Sequence, residues 1–269
     1  MGQRDEEGGV AVPKDEPDET GLPVSLQMAW GLRERPGKGP RPTLTLPKIV
    51  DAAVALAATE GMDAVSMGRV AKELGVSTMS LYRYVTAKEE LYILMSEAGV
   101  GTPPDLPEDA EGRSWRELLT DWAYAQRTLL MTKPWILRIP LTAPPASPNQ
   151  LAWMERGLAA MAGTALEEGE KLSAIILIGG LVRNEATMAA DMMDAIIKSG
   201  VAPDQVIGRY VKTLNLLTAP DTHPALTRLL SSGAFAGSGE PDFQFRFGLD
   251  RILDGLAGLI AEREAPPSA

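Results

Sequence analysis

The segment from Val65 to Leu91 limits what this chain can fold into more than any other. Val70, Leu74 and Leu81 recur at spacings that face a common core, and Ala71 is small where two helix axes must cross closely. Gly75 stands where a first helix must stop and reverse, a place that favours a residue free to take positive φ. Ser66 and Ser77 are each placed to accept backbone N–H groups at the start of a helix. Thr86, with Glu89 three residues on, reads as a capping box for the next helix. The pattern predicts two short helices about a tight turn. This is a helix-turn-helix whose second helix, about Thr78 to Tyr84, would be offered to a DNA major groove.

A net charge of −10 suits a DNA-binding chain only once it is resolved along the sequence. Residues 1–22 carry two basic and seven acidic side chains, a net of −5, whereas residues 33–48 carry five basic ones against Glu34, a net of +4. Affinity for phosphate depends on the local patch that displaces counterions, and the basic stretch abuts the helix-turn-helix. Within it, Arg35, Lys38 and Arg41 lie in a Gly/Pro-rich arm. That composition fits either insertion into a narrow minor groove or a solvated linker with loose electrostatic attraction.

Punctuation divides the rest of the 269 residues. Residues 1–44 hold too few apolar side chains to bury a core and are expected to be mostly disordered, with an apolar patch at 22–32 as a transient helix or docking element. Thr45 caps a first helix of a DNA-binding domain over 45–101, in which Leu46, Ile49, Val50, Ala53, Val54 and Ala57 recur at three- and four-residue steps. After a Pro/Asp-rich linker, a larger domain over 110–265 reads as helices at about 114–131, 149–164, 167–198, 203–217 and 242–263, with an irregular Pro/Gly/Ser stretch after 217. The fold class is all-α, without a β-strand run or an internal repeat. The chain has no cysteine, which excludes disulfides and thiolate chemistry and suits a reducing compartment. The acidic N-terminus is unlike a secretory signal, and the longest apolar run, Ala174 to Val182, falls short of the ~20 residues that span a bilayer. A cytoplasmic protein with no membrane partner is expected.

Gly61, Ser66, Val70-Ala71, Leu74-Gly75-Val76-Ser77, Leu81-Tyr82-Arg83-Tyr84 and Lys88 through Leu91 resemble the DNA-binding domain of the tetracycline-repressor family. The last helix adds to the resemblance. Phe245, Leu249, Ile252, Leu256 and Leu259 form an apolar stripe beside Gly248, Gly255 and Gly258, and the segment 247–256 is similar to the C-terminal helix of that family's ligand domain. The resemblance implies that this helix and the long preceding one build a four-helix homodimer interface, with Gly248, Ile252, Gly255, Leu256 and Leu259 in it. The residues alone leave open an ordinary buried core helix within a monomer.

On the recognition helix, Thr78 and Ser80 can donate or accept at base edges and Met79 can pack on a thymine methyl. The resemblance implies that Tyr82, Tyr84 and Lys88 anchor phosphates. Arg83 reads either as a bidentate guanine contact or as a phosphate contact. Ser66 is a cap that can also meet a phosphate. At Gly68, related proteins often carry a long polar side chain, so Arg69 is expected to take over that contact, or the contact is absent. The dimer would face a palindromic operator.

The ligand domain of the family binds a small effector that weakens DNA binding. Arg183, Asn184 and Glu185 interrupt an apolar stretch and would line a pocket, form a dimer salt bridge or face water. Trp115, Trp122, Trp153 and Met188 are candidate apolar walls beside Arg183 and Asn184. The family's tetracycline binders hold a magnesium–drug chelate partly through histidines. This chain has one histidine, His223, so neither metal nor tetracycline is carried over and no cofactor is expected. His223 precedes Pro224 with no nucleophile motif nearby, which argues against an enzyme. A helical protein–protein adaptor and a transcriptional activator remain as alternatives to a repressor released by a hydrophobic effector.

Overall fold

Side-chain caps set the helix boundaries at the N-terminal end. Thr45 accepts from the Lys48 N–H at 3.4 Å and opens the helix Leu46–Glu60, whose C-cap Gly61 has φ 86°. The computed structural model describes residues 22–32, 44–104, 112–141, 144–236 and 242–265, and every regular element among them is helical. In chain order the helices are α1 (Val24–Ala29), α2 (Leu46–Glu60), α3 (Met67–Glu73), α4 (Thr78–Tyr82), α5 (Lys88–Val100), α6 (Trp115–Thr132), α7 (Pro148–Ala159), α8 (Glu168–Ser199), α9 (Pro203–Leu217), α10 (Pro224–Ser231) and α11 (Phe243–Glu264).

Two apolar cores organise them. The first gathers Ile49 and Ala53 of α2, Val70 and Ala71 of α3, Leu81 of α4, and Leu91 and Met95 of α5. It also takes in Trp135, Ile136 and Ile139 from the 3-10 turn Pro134–Arg138 and the residue after it, well beyond the helix-turn-helix in sequence. The second core joins Leu119 and Trp122 of α6, Trp153 of α7, Ile175, Ile178 and Val182 of α8, and Phe245, Leu249 and Leu253 of α11. Leu130 of α6 packs against both.

Two sequence expectations are corrected. Thr86 and Glu89 do not form a capping box: Ala87 is the N-cap of α5, and both the N–H and the hydroxyl of Thr86 donate to Glu90 at 2.8 Å. The stretch after 217 is not wholly irregular, because Pro224, fixed in φ at the first helical position, opens α10. For residues 22–32 the structure takes the docking alternative. They form α1, which packs on α5 and buries Ser25 and Gln27, while the Trp30 indole N–H donates to the Ala146 carbonyl at 2.9 Å. By length and hydropathy alone, α8 is apolar enough to cross a membrane. Its Ala174, Ile175, Ile178, Val182 and Ala186 are buried against protein, so one side of it belongs to the core.

The Trp30 contact ties the chain's N-terminal helix to the loop before α7. Trp30→Ala is expected to lower global stability by about 1 kcal/mol through the lost hydrogen bond and ring packing, read as a fall in Tm by calorimetry. An unchanged Tm would make α1 a passive rider on α5.

Candidate nucleic-acid interface and ligand domain

The helix-turn-helix is built as its caps dictate. Ser66 Oγ accepts from the Arg69 N–H at 3.2 Å, Ser77 Oγ accepts from the Ser80 N–H at 3.3 Å, and Gly75 turns the chain at φ 67°. Leu81 and Val85 are fully buried, which fixes the roll of α4 and turns its other side outward. On that side Met79 is 76 % exposed, a large apolar side chain held in water at the first turn of a capped helix. Tyr82, Arg83 and Lys88 are exposed as well, and the Lys88 ammonium lies 5.2 Å from the Tyr92 ring centroid.

The remaining DNA candidates are placed differently. Thr78 and Ser80 are half-buried, and the Ser80 hydroxyl shares a 2.9 Å hydrogen bond with that of Ser77. Tyr84 is half-buried and its hydroxyl donates to the Leu44 carbonyl at 2.9 Å, so it ties the start of the domain together. Arg69 is ion-paired with Glu60 at 2.6 Å and with Glu73 at 3.5 Å, which sets those carboxylates against any phosphate it would meet. Gly68 is exposed, with open space where a Cβ would stand. Arg35, Lys38 and Arg41 lie outside the described residues.

In the C-terminal part, Trp122 and Trp153 come together: the Trp122 indole donates to the Trp153 carbonyl at 2.9 Å, and a Cβ on Gly157 would stand 2.9 Å from the Trp122 ring. Trp115 packs at the edge of the same core. The polar triplet of α8 divides three ways. Arg183 donates to the Leu137 carbonyl at 3.2 Å, whereas Glu185 pairs with Arg127 through two 2.8 Å hydrogen bonds within the same chain. Asn184 is exposed and reaches only Met188, itself 61 % exposed, so neither joins the tryptophans in the interior.

The Arg127–Glu185 pair anchors a cluster that the sequence did not signal, because its members lie far apart in the chain. Arg127 stacks on Phe245 at 5.1 Å, Phe245 meets Tyr124 edge-on at 5.0 Å, and the Tyr124 hydroxyl donates to Asp242 at 2.9 Å. The Glu185 hydrogen bonds hold the Arg127 pKa above its ordinary value. Burial, then the Asp242 contact, pushes the Tyr124 hydroxyl up, and the same hydrogen bond holds the Asp242 carboxyl below its usual range.

The proposed dimer residues also separate. Ile252, Leu256 and Leu259 are half-buried against the chain's own second core, and a Cβ on Gly248 would stand 3.1 Å from Leu181. Gly255 and Gly258 are exposed with open space beside them.

Residues 49–95 match the family described as "Bacterial regulatory proteins, tetR family", and residues 106–260 match "Tetracyclin repressor-like, C-terminal domain". This chain belongs to the tetracycline-repressor family. It is 38 % identical over 240 residues to the HTH-type transcriptional repressor DrrR1 of Streptomyces coeruleorubidus, covering 89 % of this chain and 87 % of that one. Among solved structures it is similar to apo ActR from Streptomyces coelicolor, with 27 % identity, TM-score 0.64, and coverage of 83 % of this chain and 99 % of ActR. ActR in complex with actinorhodin is likewise similar, at 26 % identity and TM-score 0.68, covering 81 % and 98 %.

Proposed function

We propose that this protein is a cytoplasmic homodimeric repressor that binds a palindromic operator through α4 and is released by a small, mostly apolar effector held in its C-terminal domain. One observation carries the reading: a capped recognition helix that turns Met79, Tyr82 and Arg83 outward, in a chain related over most of its length to a transcriptional repressor. The functional division follows 45–101 for DNA and 110–265 for ligand and dimer. The effector reading rests on ActR, whose structure with actinorhodin shows a relative of the same fold holding a small molecule. Arg35, Lys38 and Arg41 add phosphate or minor-groove contacts from the adjoining arm.

Selection from random DNA with the full chain tests the first half of the proposal. An inverted-repeat site is expected, and Arg83→Ala should relax preference at one base pair per half-site by roughly 1–3 kcal/mol. Lys88→Ala should weaken binding to all sequences and flatten the salt dependence. An enriched site without twofold symmetry, or no enrichment at all, would overturn the reading and favour an adaptor.

A further inference from the structure

The first helix, α1, is too short to stand by itself. It has six residues, and isolated helices below roughly 12–15 residues are marginal in water. Yet both of its ends are built. At the start, the Gln27 amide donates to the Leu22 carbonyl at 2.7 Å. At the finish, Gly31 takes φ 65°, its N–H donates to the Met28 carbonyl, and the Leu32 N–H reaches back to the Gln27 carbonyl at 2.8 Å. Those two bonds about a left-handed glycine form a Schellman stop. Docking supplies the stability that length denies. α1 packs on α5, Ser25 and Gln27 are buried, and Ala29 joins the edge of the first core. Folding and docking of α1 are therefore one step.

The seat of α1 spans a joint. α5 belongs to the DNA-binding core, whereas Trp30, the residue after α1, donates to Ala146 in the loop that leads into α7 of the ligand domain. The same two regions also meet directly, where the Asn149 N–H binds the Glu97 carboxylate and the Gln150 amide donates to Ser96 Oγ at 3.2 Å. A change in how α5 sits against α7 must break the Trp30 contact or pull α1 from its seat.

We propose that α1 is a strap across this joint, which narrows the orientations that α5 samples and so holds the spacing of the two recognition helices in the dimer. The inference rests on the dimeric operator reading above. Two half-sites at a set separation are bound best by a dimer already held near that separation, because less freedom is lost on binding. The strap thus adds affinity for the paired site without touching DNA. By reciprocity, operator binding stabilises docked α1 to the same extent.

Gly31→Ala tests the strap without removing a contact or a charge. Nothing stands within 4 Å of a Cβ at Gly31, so the substitution acts through the left-handed backbone alone. It should shift the docking equilibrium of α1 about tenfold toward the released form. Gly31→Asn, which tolerates that backbone, should shift it less. Hydrogen exchange on full-length Gly31→Ala is expected to rise over residues 24–32, at the end of α5 and over 146–153. Affinity for the inverted-repeat operator should fall about three- to tenfold, while affinity for a single half-site and the salt dependence stay at the parent's values. In the parent, bound operator should slow exchange over 24–32. If exchange rises over 24–32 while the joint and the operator affinity hold, α1 is a passive rider and the proposal is overturned. An equal fall for one half-site also overturns it, because α1 would then support the DNA-binding core itself. So does unchanged exchange over 24–32, since α1 would not be the marginal element that a strap of this kind requires. A parent that binds one half-site as tightly as the full operator would sink the dimeric operator reading, and the strap with it.

Discussion

Replacing Leu172 and Ile176 together by aspartate is expected to yield a folded monomer whose operator affinity is at least about a hundredfold below that of the parent, the loss that follows when two linked half-site contacts become one. Leu172, Ile176, Gly180, Asn184 and Met188 follow one another at four-residue steps along α8, and all five are exposed. Leu172 is 41 % and Ile176 65 % exposed, although the opposite side of the same helix is core. A row at four-residue spacing is a ridge of the kind that packs into the grooves of a second helix. An apolar ridge of this extent left open to water is unusual in a chain that works alone. Beside it, α11 offers Gly255 and Gly258 with nothing standing over them. The sequence points instead to Ile252 and Leu256, but these are half-buried in the chain's own core, so charges there would damage the fold as well as any dimer. At exposed positions the substitutions should change monomer stability little. Analytical ultracentrifugation checks the association state and an operator titration checks the affinity. A persistent dimer would move the interface elsewhere.

What could be read from sequence was mostly local. Thr45, Ser66 and Ser77 each cap the helix expected of them, whereas the reciprocal capping box that Ser114 closes with Glu117 was not read from the sequence. Caps act within one turn, so they fix helix starts without knowledge of the rest of the fold. The long helix expected over 167–198 is observed over Glu168–Ser199, and the one expected over 242–263 over Phe243–Glu264. Thr86 fails the same logic because Glu90, one residue past the box position, captures it. Contacts between distant segments were not legible. Trp30 finds the Ala146 carbonyl 116 residues away, and Tyr124 finds Asp242 across 118. The candidate site was legible where α4 alone decides exposure, as at Met79 and Arg83. It was not legible at Tyr84 or Arg69, whose polar groups are engaged by Leu44, Glu60 and Glu73. For Asn184 and Met188, composition showed an interrupted apolar helix, but only packing shows which side of it is covered.

Gly99→Ala is expected to destabilise the protein by roughly 1–3 kcal/mol, the usual cost of overpacking a filled core, and to weaken operator binding at the same time. Gly99 is buried in the last turn of α5, where a Cβ would stand 2.5 Å from Trp135 Cη2, 2.9 Å from its Cζ2 and 3.0 Å from Ile136 Cδ1. Trp135 is itself buried, so its rigid ring has little room to retreat. The surroundings are bound on several sides. Lys133 Nζ donates to the Gly99 carbonyl at 2.8 Å, placing a cation at the negative end of the helix. The Asn149 N–H meets the Glu97 carboxylate at 3.0 and 3.1 Å, and the Trp153 indole donates to the Gly101 carbonyl at 3.0 Å. α5 thus leaves the DNA-binding core and is gripped at its far end by residues of the ligand domain. A wedge at Gly99 must shift either α5 or the Trp135 turn, and either movement re-aims α4 relative to the partner's recognition helix. Gly68→Ala is the control: it lies in α3 with open space around it and should gain about 0.5–1 kcal/mol from reduced chain entropy. Thermal unfolding and operator titration read the two effects separately. If Gly99→Ala lost stability but kept its operator affinity, the joint would be a packing site that does not set the spacing of the recognition helices.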